Sequence, residues 1–499
     1  MSRWPGLAAW LLVALASVRI ATTYRELSFT IDEPGHFACG LEYLTKHVYR
    51  YETQHPPLAR AAIALLPYLA GVRPQNDPNR NVEGRLVMLR SGNLERTLVL
   101  MRLGILPFFW LACWIVFLWA RRYYDPWTAG AAVGLFTLLP PVLAHAGLAC
   151  TDMALAAGVG AAFYALLVWA ESPDRRHAIV LGAAGALAVL TKFTALVYLP
   201  AVAGFALLFH WRTVRRSFRR AHLTSFAFAL ATGAAVIWAA YWFSFAKVPA
   251  PEFFDGLLAA QSHDKGGHPA YLLGHYSLNG WWYYFPVVLA VKTPLAFLIL
   301  AAIGCANRLA LAYCLGILIP AMAGHVDIGV RLILPVYIAL SIMAAVALRR
   351  LLRGRAVAFA IPLLAWLVTT GVARHPDYLR YFNELAGPDP SKVLVDSDLD
   401  WGQDTQRLAA RLRALGAREV SLMLIEPLTW PLPVEADLRD YYGLPRILPA
   451  DAQFQHEGWT AISPTVARTL QLPFQAWYDR VPPTEGIGAL WLYRMPPKP

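Results

Sequence analysis

The chain has 499 residues, of which 57% are hydrophobic and only 15% are charged, and its mean hydropathy is +0.43. Soluble domains carry about a quarter charged residues, so this composition predicts a polytopic membrane protein. The net charge of +12 would suit a nucleic-acid binder. The arginines, however, cluster in short loops between apolar runs, which is typical of the cytoplasmic loops of membrane proteins. We therefore expect no nucleic-acid partner. The five cysteines have no metal-type spacing and predict neither a disulfide framework nor a cysteine metal site.

The apolar runs predict about eleven transmembrane helices of about 20 residues each. The first, at residues 5–22, lacks a clean small-residue cleavage site and is predicted to be an uncleaved span. The run at 177–210 is too long for one span, so we split it at Lys192, and "GWWYYFPVVLAVKTPLAFLILAAIG" adds a helix whose core starts at Thr293 and Pro294. Leu58–Gly71 is short and is predicted to be an interfacial helix. The other runs long enough to cross lie at 97–120, 126–146, 149–170, 224–245, 307–323, 331–348 and 355–373.

Charge fixes the predicted orientation of these spans. With the N-terminus inside, arginine-dense loops such as "HWRTVRRSFRRAH" and "LRRLLRGR" all fall on the cytoplasmic side. This predicts a transmembrane catalytic domain at 1–374, with exterior loops at 23–96 and 246–280, and an extracytoplasmic α/β domain at 375–499. In that domain "KVLVDS" reads as a strand, "GQDTQRLAARLRALG" as an amphipathic helix and "EVSLMLI" as a second strand, a βαβ-like unit.

The predicted exterior face holds two acidic candidates. Asp32 and Glu33 follow the first span in "TIDEPGHFACG", where a carboxylate in a dry interface could have a raised pKa and act as a general base. The alternative is that Asp32 caps a helix beginning at Pro34. Asp152 in "TDMALAA" opens an apolar helix, where an ionisable residue predicts function, and a capping role beside Thr151 is an equal alternative.

Three cations, Lys192, Lys292 and Arg331, lie at the outer ends of predicted spans. Together they could bind a phosphate at headgroup level, whereas any one alone could simply reach toward lipid phosphates. Four loop histidines, His55, His263, His268 and His275, match no compact metal site.

The stretch "DSDLDWGQD" imitates the start of a calcium loop through Asp396, Asp398 and Asp400. Trp401 stands where that loop requires glycine, so an EF-hand is excluded. The cluster could instead cap the following helix or bind a polar ligand.

As an ordered set over nearly the whole chain, several motifs resemble the polyprenyl-phosphate-sugar-dependent glycosyltransferases of the GT-C type. These are the bacterial relatives of protein O-mannosyltransferases and of lipid A aminoarabinose transferases. The motifs are "DEPGHFACGLEYL", "HPPLAR", "TDMALAA", "LTKFTALVYLP", "YYFPVVLAVKTPL", "IGVRLILPVY" and "YLRYFNELAGPDPSKVLVDSDLDWGQD". The resemblance implies a multi-helix fold with interfacial helices in the first exterior loop, a multi-pass protein of the bacterial inner membrane, and an active site between that loop and the membrane.

The resemblance also implies a reaction, in which a sugar moves, with inversion, from a polyprenyl-phosphate donor to a hydroxyl or phosphate of a lipid, cell-envelope glycan or protein. By motif position Asp32 is the catalytic carboxylate, supported by Glu33, and Asp152 is the second acidic residue. A divalent metal at Asp32 and Asp152 is the one cofactor candidate. The alternatives are a transporter or flippase of lipid-linked sugars, whose charges would form a path across the membrane, and an oligosaccharide ligase.

The remaining site candidates follow from the same resemblance. Lys192, Lys292 and Arg331 would meet the leaving phosphate. His55 is a fourth candidate, since it stands where the aminoarabinose transferases have a lysine. His36, Tyr43 and Glu52 in the first exterior loop are candidates for contacts with the acceptor.

Overall fold

The computed structural model describes residues 4–212, 216, 220–425, 441–472 and 475–496. The chain is mostly helical, with a small hairpin and one larger sheet. The helices, numbered in chain order, are α1 Trp4–Thr23, α2 Glu33–Lys46, α3 Pro57–Leu69, α4 Arg80–Arg90, α5 Leu94–Leu103, α6 Leu106–Tyr123, α7 Pro126–Phe136, α8 Pro140–Ala146, α9 Asp152–Glu171, α10 Arg175–Thr191, α11 Ala195–Phe209, α12 Arg220–Ala240, α13 Pro251–Gly266, α14 Tyr284–Lys292, α15 Leu295–Ile303, α16 Arg308–Met322, α17 Val336–Arg353, α18 Val357–Ala373, α19 Thr405–Ala414 and α20 Pro464–Thr469. The strands are β1 Ala270–Leu272, β2 His275–Ser277, β3 Glu419–Met423, β4 Arg446–Pro449, β5 Gly458–Ile462, β6 Glu485–Ile487 and β7 Leu490–Met495.

Within the described residues, four helical stretches are long and apolar enough to cross a membrane: α1, the stretch Leu94–Tyr123 formed by α5 and α6, α9, and α12. The number rises to six if each bent pair, α7 with α8 (71°) and α14 with α15 (113°), is one span. Four shorter apolar helices, α3, α11, α16 and α18, accompany them. The fold is thus that of a helical membrane protein, and the span count of about eleven stays a prediction.

Two predicted helix boundaries can be compared directly with the structure. The predicted break at Lys192 is confirmed, because α10 ends at Thr191 and α11 begins at Ala195. The predicted start at Thr293 and Pro294 is displaced by one residue, since Pro294 occupies the N-cap position of α15.

The predicted interfacial segment forms α3, which packs closely on α2. A Cβ added at Gly40 of α2 would lie 2.0 Å from the backbone oxygen of Arg60 on α3, so only glycine allows this approach. The contact brings Arg60 beside the first turns of α2, where Asp32 and His36 lie.

The C-terminal region carries a five-stranded sheet in the order β4, β3, β5, β7, β6. Strand β3 runs parallel to β4 and β5, and β7 runs antiparallel to β5 and β6. Helix α19 packs Leu408 and Leu412 into a cluster with Val420 of β3 and Leu492 of β7. The predicted amphipathic helix and the strand after it are confirmed.

The predicted strand "KVLVDS" is wrong. Its ends form 3-10 turns, Pro390–Lys392 and Asp396–Asp398, and Asp396 adopts a φ of 60°, which breaks extended backbone. The residues between them pair with the β1–β2 hairpin instead: the Leu273 amide donates to the Val393 carbonyl at 3.0 Å, and Leu394 bridges to Leu272. This segment therefore ties the C-terminal region to the predicted exterior loop at 246–280.

Candidate active site

Asp32 lies at the N-cap position of α2, but its carboxylate makes no capping hydrogen bond. The carboxylate instead accepts a hydrogen bond from Arg331 Nη1 at 2.8 Å, and 36% of the side chain stays exposed. The capping alternative therefore fails for this side chain. Burial raises the pKa of Asp32, but the charge and hydrogen bond of Arg331, together with His36, outweigh burial and hold the pKa below its usual value. The predicted raised pKa is wrong, and Asp32 is an ionised carboxylate with an open side.

Glu33 differs from the adjacent Asp32 in its burial and in its hydrogen-bond partners. It is completely buried, and its carboxylate accepts hydrogen bonds from Arg102 Nε and Nη2, each at 2.9 Å, from the Thr30 amide at 2.7 Å and from the Ala149 amide at 2.8 Å. A carboxylate with all its lone pairs in use has no capacity to bind an acceptor. The catalytic assignment of Glu33 is corrected accordingly: it joins α2, α5 and the turn before α9, and so positions Asp32.

Asp152, the first residue of α9, forms a second buried pair. Its Oδ1 accepts a hydrogen bond from Lys192 Nζ at 2.7 Å, and both side chains are at least nine-tenths buried. Thr151, at the N-cap position, makes no side-chain capping bond. Asp152 lies close enough to Asp32 and Arg331 to act on both electrostatically. The structure thus brings together Asp32, Asp152, Lys192 and Arg331 as two carboxylates facing two cations.

Lys292 does not join this group. Its Nζ donates hydrogen bonds to the carbonyls of Leu379 (2.8 Å) and Asp398 (2.5 Å) and lies 4.1 Å from the centre of the Phe382 ring. Only 1% of the side chain is exposed. The assignment of Lys292 to the donor phosphate is therefore corrected: it anchors the C-terminal segment to α14.

The predicted first exterior loop, residues 23–96, contains a buried arginine that is not among the residues predicted from the sequence. Arg60 of α3 is completely buried and donates to His36 Nδ1 at 3.0 Å and to the Tyr49 hydroxyl at 2.8 Å, and it pairs with Glu52. Glu52 also pairs with Arg80, which is 34% exposed. Both arginines hold the pKa of Glu52 below its usual value although burial would raise it. Arg60 is the last residue of the motif "HPPLAR". An arginine on an apolar helix indicates a functional role, and this feature of the sequence could have identified Arg60.

His36 and His55 lie against this arginine cluster, with ring centres 5.5 Å apart. Burial, followed by the charge of Arg60, lowers the pKa of His36 to about 3 and holds that of His55 well below its usual value. Both imidazoles are therefore neutral near pH 7. His55 cannot supply the positive charge that its place in the motif implied, and Arg80 is the partly exposed cation on this side.

Tyr43 is not part of the group. Its hydroxyl donates to the Ala240 carbonyl at 2.8 Å, and its ring packs on Trp242, 5.4 Å between centres. The predicted acceptor contact is corrected, because Tyr43 braces α2 against the end of α12.

The segment Asp396–Asp404, the C-terminal strap, reaches the site from the other side. The ring of Trp401 lies under the Arg331 guanidinium, 4.3 Å from its carbon to the ring centre. Asp398 is completely buried and accepts from the Val330 amide at 3.1 Å. Gly329, with φ at +101°, lies so close that an added Cβ would be 2.8 Å from Asp398. Asp404, at the N-cap position of α19, makes no side-chain capping bond. Asp398 and Asp400 accept hydrogen bonds from other parts of the chain, and binding of a polar ligand by this cluster stays a prediction.

No group of three or more His, Cys, Asp or Glu residues in the described part of the chain is arranged to hold a metal ion. Asp32 pairs with Arg331 and Asp152 pairs with Lys192. A divalent metal at these two carboxylates stays a prediction.

Comparisons with known proteins bear on the fold of the chain. A family model described as dolichyl-phosphate-mannose-protein mannosyltransferase matches residues 96–238. The structure of ArnT from Cupriavidus metallidurans bound to undecaprenyl phosphate matches with a TM-score of 0.53 at 19% identity, over 77% of this chain and 67% of that one. The apo form of the same protein gives 0.51 at 19%, over 75% and 66%.

A weaker match, with a TM-score of 0.44 at 12% identity, is the archaeal oligosaccharyltransferase AglB from Archaeoglobus fulgidus, over 92% of this chain and 62% of that one. A search of curated proteins gives no match. This chain spans about two thirds of the length of the matched structures. The resemblance stated from the motifs is confirmed at the level of the fold, which this chain shares with the ArnT structures.

Proposed function

We propose that this chain, which shares the GT-C fold, is an integral-membrane glycosyltransferase. It moves a sugar from a polyprenyl-phosphate donor to a hydroxyl of a lipid, cell-envelope glycan or protein, with inversion at the anomeric carbon. It acts at the outer face of the bacterial inner membrane, with its N-terminus in the cytoplasm and its C-terminal region outside.

The observation that carries the proposal is the state of Asp32. Its carboxylate is free of capping duty, ionised beside Arg331, and open on one side. A carboxylate in that state can accept the proton of an incoming hydroxyl, and general-base help of this kind contributes about 10² to 10⁴-fold.

Three cations, Lys192, Arg331 and Arg80, would support the leaving phosphate. Lys192 Nζ pairs with Asp152, and a primary ammonium retains two further donors. The Nε of Arg331 is buried and has no hydrogen-bond partner among the described residues. Arg80, one-third exposed and paired with Glu52, takes the place given to Lys292 and His55 in the sequence analysis.

The reaction follows from this arrangement. The acceptor oxygen forms its bond to the anomeric carbon while the bond from that carbon to the phosphate oxygen breaks, and polyprenyl phosphate leaves with the electron pair. The acceptor proton passes to Asp32. Because Arg331 lowers the pKa of Asp32, proton transfer comes late, after the new carbon–oxygen bond has largely formed.

The placement of the buried charges favours transfer over transport. Asp32, Asp152, Lys192 and Arg331 lie at helix ends or between helices and form one cluster, with Glu33 and Arg102 beside it. A permeation path would need ionisable groups spaced through the helices.

The test uses the purified full chain in lipid, incubated with radiolabelled polyprenyl-phosphate sugars and acceptor extracts. Asp32→Asn is expected to lower transfer at least about 100-fold, because the amide cannot take a proton. The matched control is Asp125→Asn, because Asp125 caps α7 with its side chain, pairs with Arg349 and Arg353, and lies outside the site. Equal transfer by wild type and Asp32→Asn would remove Asp32 from the mechanism. Movement of labelled lipid across the bilayer without transfer would favour the flippase alternative.

A further inference from the structure

We infer that Trp401 of the C-terminal strap is a positioning residue of the transfer site: it holds the Arg331 guanidinium against Asp32. The inference rests on the proposed function for its kinetic meaning, and on geometry alone for the contact network.

The contacts form a closed ring that joins three distant parts of the chain. The Asp32 carboxylate accepts a hydrogen bond from Arg331. The Arg331 guanidinium lies over the Trp401 ring. The Trp401 carbonyl in turn accepts a hydrogen bond from the amide of Ile31, the residue before Asp32, at 3.1 Å. Displacing any member therefore shifts the two others.

The strap is firmly seated on the first exterior loop. The Gln403 side chain accepts from the Trp401 amide at 2.8 Å, and the Gln403 carbonyl accepts from the Ser28 amide at 2.9 Å. The Ser28 hydroxyl accepts from the Gln406 amide at 2.8 Å. Trp401 itself is 3% exposed. The ring face is thus fixed before any substrate arrives.

The other end of the strap is anchored beside Arg331. The Asp398 carbonyl accepts from Lys292, and its side chain accepts from the Val330 amide. Ser397 donates to the Ile328 carbonyl. Trp401 therefore sits on a segment fixed at both ends, with Arg331 between the anchors.

This arrangement has a chemical consequence for Asp32. The charged or titratable groups that act on it are Arg331, His36 and Asp152: Arg331 and His36 lower the pKa of Asp32, with Arg331 the stronger of the two, and Asp152 raises it. An arginine without a planar support samples many rotamers, whereas stacking on an aromatic face holds its fork in one plane. Without Trp401, Arg331 would contact Asp32 for a smaller fraction of the time, and the pKa of Asp32 would rise.

The kinetic experiment compares three variants over about pH 3 to 8 in the transfer assay, a window that reaches the acid limb of the wild type. Trp401→Leu is expected to lower kcat about 5- to 30-fold and to move the acid limb to higher pH, with KM for the donor nearly unchanged. Trp401→Phe keeps an aromatic face and is expected to restore most of the rate. The matched control is Trp459→Leu, since Trp459 lies under Arg494 at 5.4 Å on the C-terminal sheet, away from the site. Its pH profile should be that of wild type.

A second measurement does not depend on activity. Hydrogen exchange of the unliganded full chain should speed up at least about threefold in the peptide covering 28–33 when Trp401 is replaced by Leu. It should speed up equally in the peptide covering 396–406 when Arg331 is replaced by Gln. Trp459→Leu should change neither peptide.

The outcomes separate the two proposals. If wild type transfers no sugar from any donor, the proposed function fails, and the exchange data alone decide whether the ring exists. If neither Trp401→Leu nor Arg331→Gln alters exchange across the ring, the inference is overturned. Equal loss in Trp401→Leu and Trp401→Phe with an unmoved acid limb would also overturn it, because a merely structural role predicts that pattern.

Discussion

Replacing Glu33 by Gln is the sharpest perturbation of the buried framework beneath the site. The carboxylate and its partner Arg102 are both completely buried and joined by two hydrogen bonds of 2.9 Å. Glutamine keeps the shape but removes the charge, and its NH₂ group would face donors on Arg102 or Ala149. Breaking one partner of a buried ion pair costs about 3–5 kcal/mol because the other charge is left without compensation. We expect the free energy of unfolding of Glu33→Gln to fall by about that amount.

The assay is unfolding of the full chain in mixed detergent micelles, followed by far-ultraviolet circular dichroism. The matched control is Glu171→Gln, because the pair that Glu171 forms with Arg122 is exposed, 49% and 30% of the two side chains, so only about 0–1 kcal/mol should be lost. Replacing both buried partners, Glu33→Leu with Arg102→Met, should recover most of the loss, since well-packed apolar residues substitute for a buried pair at little cost.

One combination of results would contradict the structural role assigned to Glu33. If Glu33→Gln is as stable as wild type and yet transfers no sugar, Glu33 acts directly in the reaction, and its complete burial in the unliganded chain is not its working state.

Two further predictions concern the cations and the acid limb. Lys192→Met should raise KM for the donor about 10- to 100-fold, since a charge-assisted hydrogen bond to the phosphate is lost. Lys292→Met should leave KM for the donor unchanged, and a KM effect there would contradict the structure. Both substitutions should lower stability by about 3 kcal/mol, because Asp152 or Asp398 is left buried without its cation. Wild-type kcat/KM should stay level as pH falls to about 4, because the pKa of Asp32 lies below its usual value and the carboxylate is lost only under that value. A half-maximal rate near pH 6 would instead point to a carboxyl such as Asp400, whose pKa burial raises to about 6.

The sequence predicted the larger features well because they follow from local patterns. Helical apolar runs, the break at Lys192 and the amphipathic helix after Asp404 depend on periodicity and polarity within about 20 residues. The grouping of Asp32, Asp152, Lys192 and Arg331 followed from placing all of them on one face.

Contacts between residues that are distant in the sequence could not be predicted from the sequence. Lys292 and Lys192 each lie at the end of an apolar helix, so the sequence does not distinguish them. Only the folded structure shows that two backbone carbonyls accept hydrogen bonds from Lys292. Asp32 and Glu33 are adjacent, and only the approach of Arg102 and Arg331 from other helices distinguishes them. "KVLVDS" has a strand's composition, but the 3-10 turns at its two ends limit its β-pairing to the single bridge between Leu394 and Leu272 of the hairpin.

The ring through Trp401 bears on how the protein is made. During synthesis Asp32 emerges from the ribosome early, Arg331 follows 299 positions later, and Trp401 emerges only after α18. For most of its synthesis the nascent chain therefore carries the Asp32 carboxylate without Arg331, and for the following 70 positions it carries Arg331 without the Trp401 ring. A message cut short after α18 would still yield a full set of apolar helices for the membrane. We expect such a fragment to be inert, so premature termination leaves behind an inactive membrane protein rather than a transferase with relaxed control.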